Sequence, residues 1–270
     1  MREIVVPLDR STLAERAVGV ARTIAEETGA SIRLVEVAPE LEVDGAMRYL
    51  QSAAESLLPG CDTTIEVLEA AVGDSVAKHV LGTVDPDGDE SLVCMSTHGR
   101  SGVGSALMGS TAEDLLRRTR RPVLLVGRHC ELPWPDNRRG LLVPVDGSER
   151  CQDLLPEVAE VAERSGLETI LVKVTHPYDV EEAHHPVLGL EEAARRLAEL
   201  GVDAKTSHTF SSNVPVALTE QAGDWAAALI VMASYVKPGA NRALLGSVTM
   251  RTVHDAPCPV LVYPRMAPEV

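Results

Sequence analysis

The chain has 270 residues, of which 45% are apolar and 24% charged, with 20 glycines and 17 prolines, so it is neither disordered nor collagen-like and can hold one large or two ordinary domains. Lys+Arg 25 against Asp+Glu 40 leaves a formal charge of −15, which repels a polyanion from the average surface. With Phe 1, Trp 2 and Tyr 4 there are too few rings for the stacking platforms of single-strand binders, and no nucleic acid partner is expected.

In chain order, Met1-Arg2-Glu3 leads straight into Ile4-Val5-Val6, a strand run with no apolar leader before it. No apolar run approaches the roughly eighteen residues of a membrane span, so neither export nor membrane attachment is expected. Leu13, Ala17, Ala21 and Ile24 recur at helical spacing, and Ile32 to Val37 reads as the second strand. Met47, Leu50, Ala54 and Leu57 form another helical stripe, followed by strand runs at Ile65 to Leu68 and Leu92 to Met95. Gly109-Ser110-Thr111-Ala112-Glu113 opens a helical run through Leu115, Leu116 and Thr119, and Val123 to Val126 makes a fifth strand. Pro133-Trp134-Pro135-Asp136-Asn137 then breaks every period, placing a joint within Arg128 to Arg139. Five scattered cysteines, Cys61, Cys94, Cys130, Cys151 and Cys258, include no C-x-x-C pair and suit a reducing cytoplasm.

Beyond the joint the chain repeats itself. Pro7-x-Asp9-x-Ser11 returns 137 residues later as Pro144-x-Asp146-x-Ser148. Gly29 pairs with Gly166 at that shift, Leu34-Val35-x-Val37 with Leu171-Val172-x-Val174, Leu107-x-Gly109-Ser110 with Leu244-x-Gly246-Ser247, and Pro122-Val123-Leu124 with Pro259-Val260-Leu261. The register slips near Asp85-Pro86-Asp87-Gly88-Asp89, an extra acidic turn in the first copy. Helical stripes recur at Leu154, Val158 and Ala162 and at Leu190, Ala194 and Leu197. Pro156 is tolerable there only in a first turn. Two domains, 1–130 and 138–270, are expected, each with apolar strands alternating with helices and therefore a parallel sheet covered on both faces.

In such sheets ligands gather at the carboxyl ends of the strands. Asp9 follows the first strand there, and Ser96-Thr97-His98-Gly99-Arg100-Ser101-Gly102-Val103-Gly104 follows the fourth. This small-residue stretch and the Gly109-Ser110 helix start suit a phosphate chain, because close backbone amides, a hydroxyl and a helix dipole all favour an anion. Ser110-x-x-Glu113 equally fits a capping box, and the two readings stand even. Neither G-x-x-x-x-G-K-[ST] nor a strand-linked G-x-G-x-x-G occurs, and G-x-S-x-G is absent, so P-loop, dinucleotide and serine-nucleophile readings fall away.

Both halves resemble universal stress protein domains, and nearly the whole chain is similar to the tandem members of that family. The family's pattern G-x-x-G, nine residues, G-[ST] stands here as Ser96-x-x-Gly99, Arg100 to Met108, Gly109-Ser110, with Asp9 and Pro122-Val123-Leu124-Leu125-Val126 at the expected places. The resemblance implies two tandem open parallel five-stranded sheets of order 3-2-1-4-5 with helices on both faces, Rossmann-like and of adenine-nucleotide-binding type. It implies that Pro7, Asp9 and the backbone of Val37 hold adenosine, that Met95 lines the pocket, and that Ser96, Gly99, Gly109, Ser110 and Thr111 hold the phosphates of ATP, with Mg. Ser96 stands where the family has its leading glycine, and in the second copy the positions read Ala233, Val236 and Gly246-Ser247. Asp146, Val174, Gly246 and Ser247 are therefore expected to form a weakened second site, with Lys237 and Arg242 as alternative phosphate contacts weighed against solvated roles.

Other residues carry less. A phosphate contact by His98 is weighed against packing or hydrogen bonding within the loop, its counterpart being Tyr235. His184-His185 beside Glu181 and Glu182 reads as solvated loop, without the i,i+4 pair of a zinc helix, so no metal site is expected. Arg117, Arg118, Arg120 and Arg121 suit a helix end. The expected function is a cytoplasmic stress-response regulator that binds ATP mainly in the first half, with no catalytic residue assigned. The chain's lysines, Lys78, Lys173, Lys205 and Lys237, offer no evident electrophile. Slow ATP hydrolysis and a nucleotide-free scaffold are the alternatives. Val123 to Val126 is expected to pair with Val260 to Tyr263 as an internal pseudo-dimer, and a homodimer of whole chains is left open.

Overall fold

A computed structural model describes residues 1–71, 73–84, 91–97, 109–134, 137–178, 187–236 and 246–266. The first half runs β1 (Glu3–Pro7), α1 (Thr12–Thr28), β2 (Ser31–Ala38), a 3-10 turn (Glu40–Glu42), α2 (Val43–Leu57), β3 (Thr63–Glu69), α3 (Val76–Gly82), β4 (Ser91–Ser96), α4 (Ser110–Arg118) and β5 (Val123–Val126). The second runs β6 (Gly140–Pro144), a single turn α5 (Glu149–Gln152), α6 (Leu155–Ser165), β7 (Glu168–Thr175), α7 (Leu188–Glu199), β8 (Ala204–Phe210), α8 (Val214–Asp224), β9 (Ala227–Val236), α9 (Ser247–Asp255) and β10 (Val260–Met266).

Local chemistry sets the helix ends. Ser11 caps α1 by accepting the Ala14 amide at 3.1 Å, and Gly29 ends it at φ 72°, a left-handed conformation glycine adopts without steric cost. Gly166 ends α6 in the same way at φ 63°. Pro156 occupies the second position of α6, inside the first turn, where no intrahelical N–H bond is lost.

The strands form one ten-stranded sheet ordered β3-β2-β1-β4-β5-β10-β9-β6-β7-β8. Each half keeps the 3-2-1-4-5 order, and every neighbouring pair is parallel except β5 and β10. Those two run antiparallel, Val260 opposite Leu125, Leu261 opposite Leu124 and Val262 opposite Val123, so the two expected sheets are halves of one. The physical reason is that β5 and β10 would otherwise each end a half as an unpaired, fully apolar edge.

Alternation along β1 divides the core. Ile4 and Val6 pack on the face covered by α1, α2, α6 and α7, with Ala17, Leu50, Val158 and Leu197. Val5 points to the opposite face, with Ala77 of α3, Leu115 and Leu116 of α4, Leu218 of α8 and Val253 of α9. Each of these apolar layers draws residues from both halves, so burial continues across the β5–β10 seam. The connection between halves is fastened as well. Thr23 donates its hydroxyl to the Trp134 carbonyl at 2.9 Å, and the Glu131 amide donates to the Pro257 carbonyl at 2.9 Å. Among the described residues no helix is long and apolar enough to cross a membrane.

Candidate functional site

The carboxyl ends of β1, β2 and β4 lie side by side because β1 pairs with both of the others. Pro7 faces Val35, and Val5 faces Val93, so Met95 lies two residues past the last β1–β4 pair, and Asp9 and Val37 each lie two residues past the last β1–β2 pair. Val5, Val35 and Met95 share the face that carries α4, and Val37 packs against that layer. The chain crosses to that side between β1 and β4, where an open parallel sheet forms its ligand crevice.

Asp9 is held at this edge by an Asx-type turn, its Oδ1 accepting the Ser11 amide at 3.1 Å. Ser96 ends β4 and Thr97 follows, both buried. Gly109, extended at φ −62° and ψ 149°, precedes the first residue of α4, and its amide donates to the Thr97 carbonyl at 2.6 Å. The Thr97 amide in turn donates to the Val126 carbonyl at 3.2 Å. The start of α4 is thereby tied to the tip of β4, and its first-turn amides stand at the crevice.

The capping-box alternative is not what forms. Gly109, without a side chain, occupies the cap position, Ser110 is already helical and exposed, and Glu113 turns down the helix to pair with Arg117. The cap residue thus supplies no side-chain acceptor to the first-turn amides, whose partial positive charge favours an anion. Thr111 follows Ser110 on the same turn. Gly99 and His98, together with Arg100 to Met108, lie outside the described residues, so Pro7, Asp9, Val37, Met95, Ser96, Gly109, Ser110 and Thr111 are the expected site residues whose placement can be stated.

One feature of the rim escaped the sequence reading. Glu36 is only 2% exposed, and its Oε1 accepts the Arg10 Nε at 2.7 Å. Arg10 itself holds φ 67°, uncommon for a side chain of this size, and also lies 3.7 Å from Glu42. The signal was a lone acid in the apolar run Leu34-Val35-Glu36-Val37. Nearby, Tyr49 donates its hydroxyl to Glu15 at 3.0 Å. Burial pushes its phenol well above the ordinary tyrosine range, reinforced by that bond and by the charges of Glu15, Glu36 and Asp9. The charges of Glu15, Glu36 and Asp9 thus gather near Tyr49, with the Arg10 guanidinium paired among them.

The second half repeats the frame with different contents. Asp146 accepts the Ser148 amide at 2.9 Å and the Ser148 hydroxyl at 2.6 Å, and Gly147 holds φ 78° where the first half has Arg10. Lys173, 4% exposed, stands at the position of Glu36, and Val174 follows it in β7. A Cβ on Gly147 would lie 3.3 Å from the Lys173 Nζ, and one on Gly189 of α7 would collide with the Gly147 backbone. The helix α7 therefore closes directly over this turn.

Above all, β9 does not stop where β4 does. Ser96 ends β4, whereas β9 continues past its counterpart Ala233 through Ser234, Tyr235 and Val236, pairing with Pro264, Arg265 and Met266 of β10. The backbone here is spent on a β-ladder, which suits the β-branched Val236 that stands where the first half has Gly99. Gly246 still precedes Ser247 at the start of α9, near Ser234 and Thr249. Lys237, Arg242 and the pair His184-His185 lie outside the described residues.

A model of the universal stress protein family matches residues 1–127 and again 137–264. A universal stress protein of Mycolicibacterium smegmatis is 26% identical over 284 residues, covering 96% of each chain. One of Mycobacterium tuberculosis is 28% identical over 192 residues, 66% of this chain and 63% of its own length. Among solved structures, a universal stress protein of Archaeoglobus fulgidus superposes with a TM-score of 0.70 at 17% identity, over 97% of this chain and 98% of its own. A protein of unknown function from Pseudomonas aeruginosa gives 0.69 at 17% identity, over 98% and 92%. At that identity the structural likeness speaks to the fold.

Proposed function

The chain belongs to the universal stress protein family, and on that premise we propose that it is a cytoplasmic stress-response regulator that binds ATP, with Mg, mainly in its N-terminal half. In this reading residues 1–130 and 138–270 are two domains of common origin, of which the first keeps the ligand and the second serves as its structural partner. Binding shifts the conformation or assembly of the whole, which requires that ATP favour one state over another and does not require turnover.

The observation that carries the proposal is the start of α4, whose cap residue Gly109 offers no side chain and is stitched by its amide to Thr97 at the tip of β4. Amides of Ser110 and Thr111 and the Ser110 hydroxyl are the donors for phosphate oxygens. Asp9 is the acceptor for hydroxyl or amino groups of adenosine, Pro7, Val37 and Met95 line its apolar surface, and Ser96 closes the floor. A divalent ion offsets the tail's negative charge. The extended β9–β10 ladder supports a weaker or absent site around Asp146, Val174, Gly246 and Ser247.

The test is the nucleotide content of the purified chain. Denatured protein is expected to release adenine nucleotide approaching one per chain. Two per chain would overturn the assignment to the first half, and none, together with no uptake of added Mg-ATP, would overturn nucleotide binding itself.

A further inference from the structure

We propose that His129, His254 and Asp255 form a binding site for one zinc-type divalent cation at the seam between the two halves. One ligand atom from each of these residues lies within 4.8 Å of the other two. The rings of His129 and His254 stand edge to face with centroids 5.5 Å apart, and His254 Nδ1 lies 2.6 Å from Asp255 Oδ1.

The fold builds this cluster from parts far apart in sequence. His129 follows β5 in the connection between halves, and His254 and Asp255 close the last turn of α9. Gly127 brings them together, because its backbone packs so tightly on the end of α9 that a Cβ there would collide with the Val253 carbonyl. The Glu131 amide, bonded to the Pro257 carbonyl at 2.9 Å, fixes the other side. The repeat does not account for the cluster. At the same shift, His254 and Asp255 correspond to Arg117 and Arg118, which pair within their own helix with Glu113 and Asp114.

Ligand chemistry selects the ion. Two imidazoles with one carboxylate suit zinc, nickel or copper, whereas magnesium and calcium prefer an all-oxygen shell. Tetrahedral zinc with bonds near 2.0–2.1 Å holds its ligand atoms about 3.3 Å apart, so the His254–Asp255 pair must open from its 2.6 Å hydrogen bond while the exposed His129 side chain draws in. His254, with a side chain only 13% exposed, is the anchored ligand. Three protein ligands leave the fourth position to water. The carbonyl end of α9 also favours a cation. Once bound, the ion would clamp the inter-half connection onto α9.

The full-length, untagged chain, stripped with chelator, is titrated with zinc chloride against a chromophoric indicator, and cobalt is used as a spectroscopic substitute. The expected result is one saturable site per chain with visible cobalt bands of a nitrogen-ligated, low-symmetry centre. His129→Asn, a change at an exposed position, should weaken zinc at least tenfold and abolish the bands, as should His254→Asn, while His176→Asn changes neither. Absence of a saturable site in the wild-type chain, or undiminished binding in His129→Asn, would overturn the proposal. ATP binding measured in parallel at the first half separates this result from the fate of the nucleotide reading.

Discussion

Gly109 donates its amide to the Thr97 carbonyl at 2.6 Å, which fixes where α4 begins relative to the tip of β4. Gly109→Pro isolates that bond, because φ −62° already matches proline while the donor is removed. Loss of about 1 kcal/mol in denaturant unfolding is expected, together with roughly tenfold weaker ATP binding by calorimetry. Unchanged affinity would show that the bond does not position the phosphate donors.

Arg10 and Gly147 occupy equivalent turns, opposite Glu36 and Lys173. Arg10→Gly relieves the left-handed backbone yet strips a buried carboxylate of its guanidinium, so a net loss of about 2 kcal/mol is expected. Adding Glu36→Lys reproduces the pattern of the second half and should restore part of that loss. A double variant less stable than Arg10→Gly would contradict this account of the swap.

Asp114 joins α4 to α3 through the Ser75 hydroxyl at 2.6 Å and to Arg118 at 2.8 Å. Burial works to raise its carboxyl, but the Ser75 and Arg118 bonds and the charges of Arg118 and Arg117 prevail and hold it below the ordinary aspartate range. A depressed folded-state value means stability that is present above the unfolded range, about pH 4, and is lost as pH falls through the lower folded value. The stability gap between wild type and Asp114→Asn should therefore be widest near neutrality and close progressively in acid. A gap independent of pH would show that ionisation is irrelevant.

All five cysteines are free thiols. Burial pushes Cys94 and Cys258 far above the ordinary range, and pushes Cys130 and Cys151 up to about 11. Iodoacetamide near pH 7.5 should leave Cys94 and Cys258 unmodified until denaturant is added, with peptide mass mapping as the readout. Rapid native labelling of either would mean that the layers over β4 and β10 open readily.

Gly127 meets the backbone of Val253 directly. Gly127→Ala must part the connection from α9, and a loss of about 2 kcal/mol is expected from overpacking. Equilibrium unfolding of that variant checks whether the seam is as close as described.

Much of this was legible in the residues. The 137-residue shift, the apolar strands and the stripes led by Leu13 and Met47 pointed to two α/β halves, because strand and helix periods differ and repeat anchors reinforce each other. The edge character of Val123 to Val126 pointed to a partner, although not to one continuous sheet. What stayed hidden depends on contacts between distant positions. Ser110 reads as a cap until Gly109 is seen to hold that place, the Arg10–Glu36 pair joins two elements, and the meeting of His129 with His254 follows from a backbone contact at Gly127. The extension of β9 was also invisible, since Tyr235 and Val236 enter a strand only because Arg265 and Met266 lie opposite.

The most direct measurement is a calorimetric titration of Mg-ATP into the nucleotide-free chain and into Gly109→Val and Gly246→Val. One site per chain is predicted, lost by on the order of a hundredfold in Gly109→Val and kept in Gly246→Val. Two equal sites, or full binding by Gly109→Val, would contradict the account.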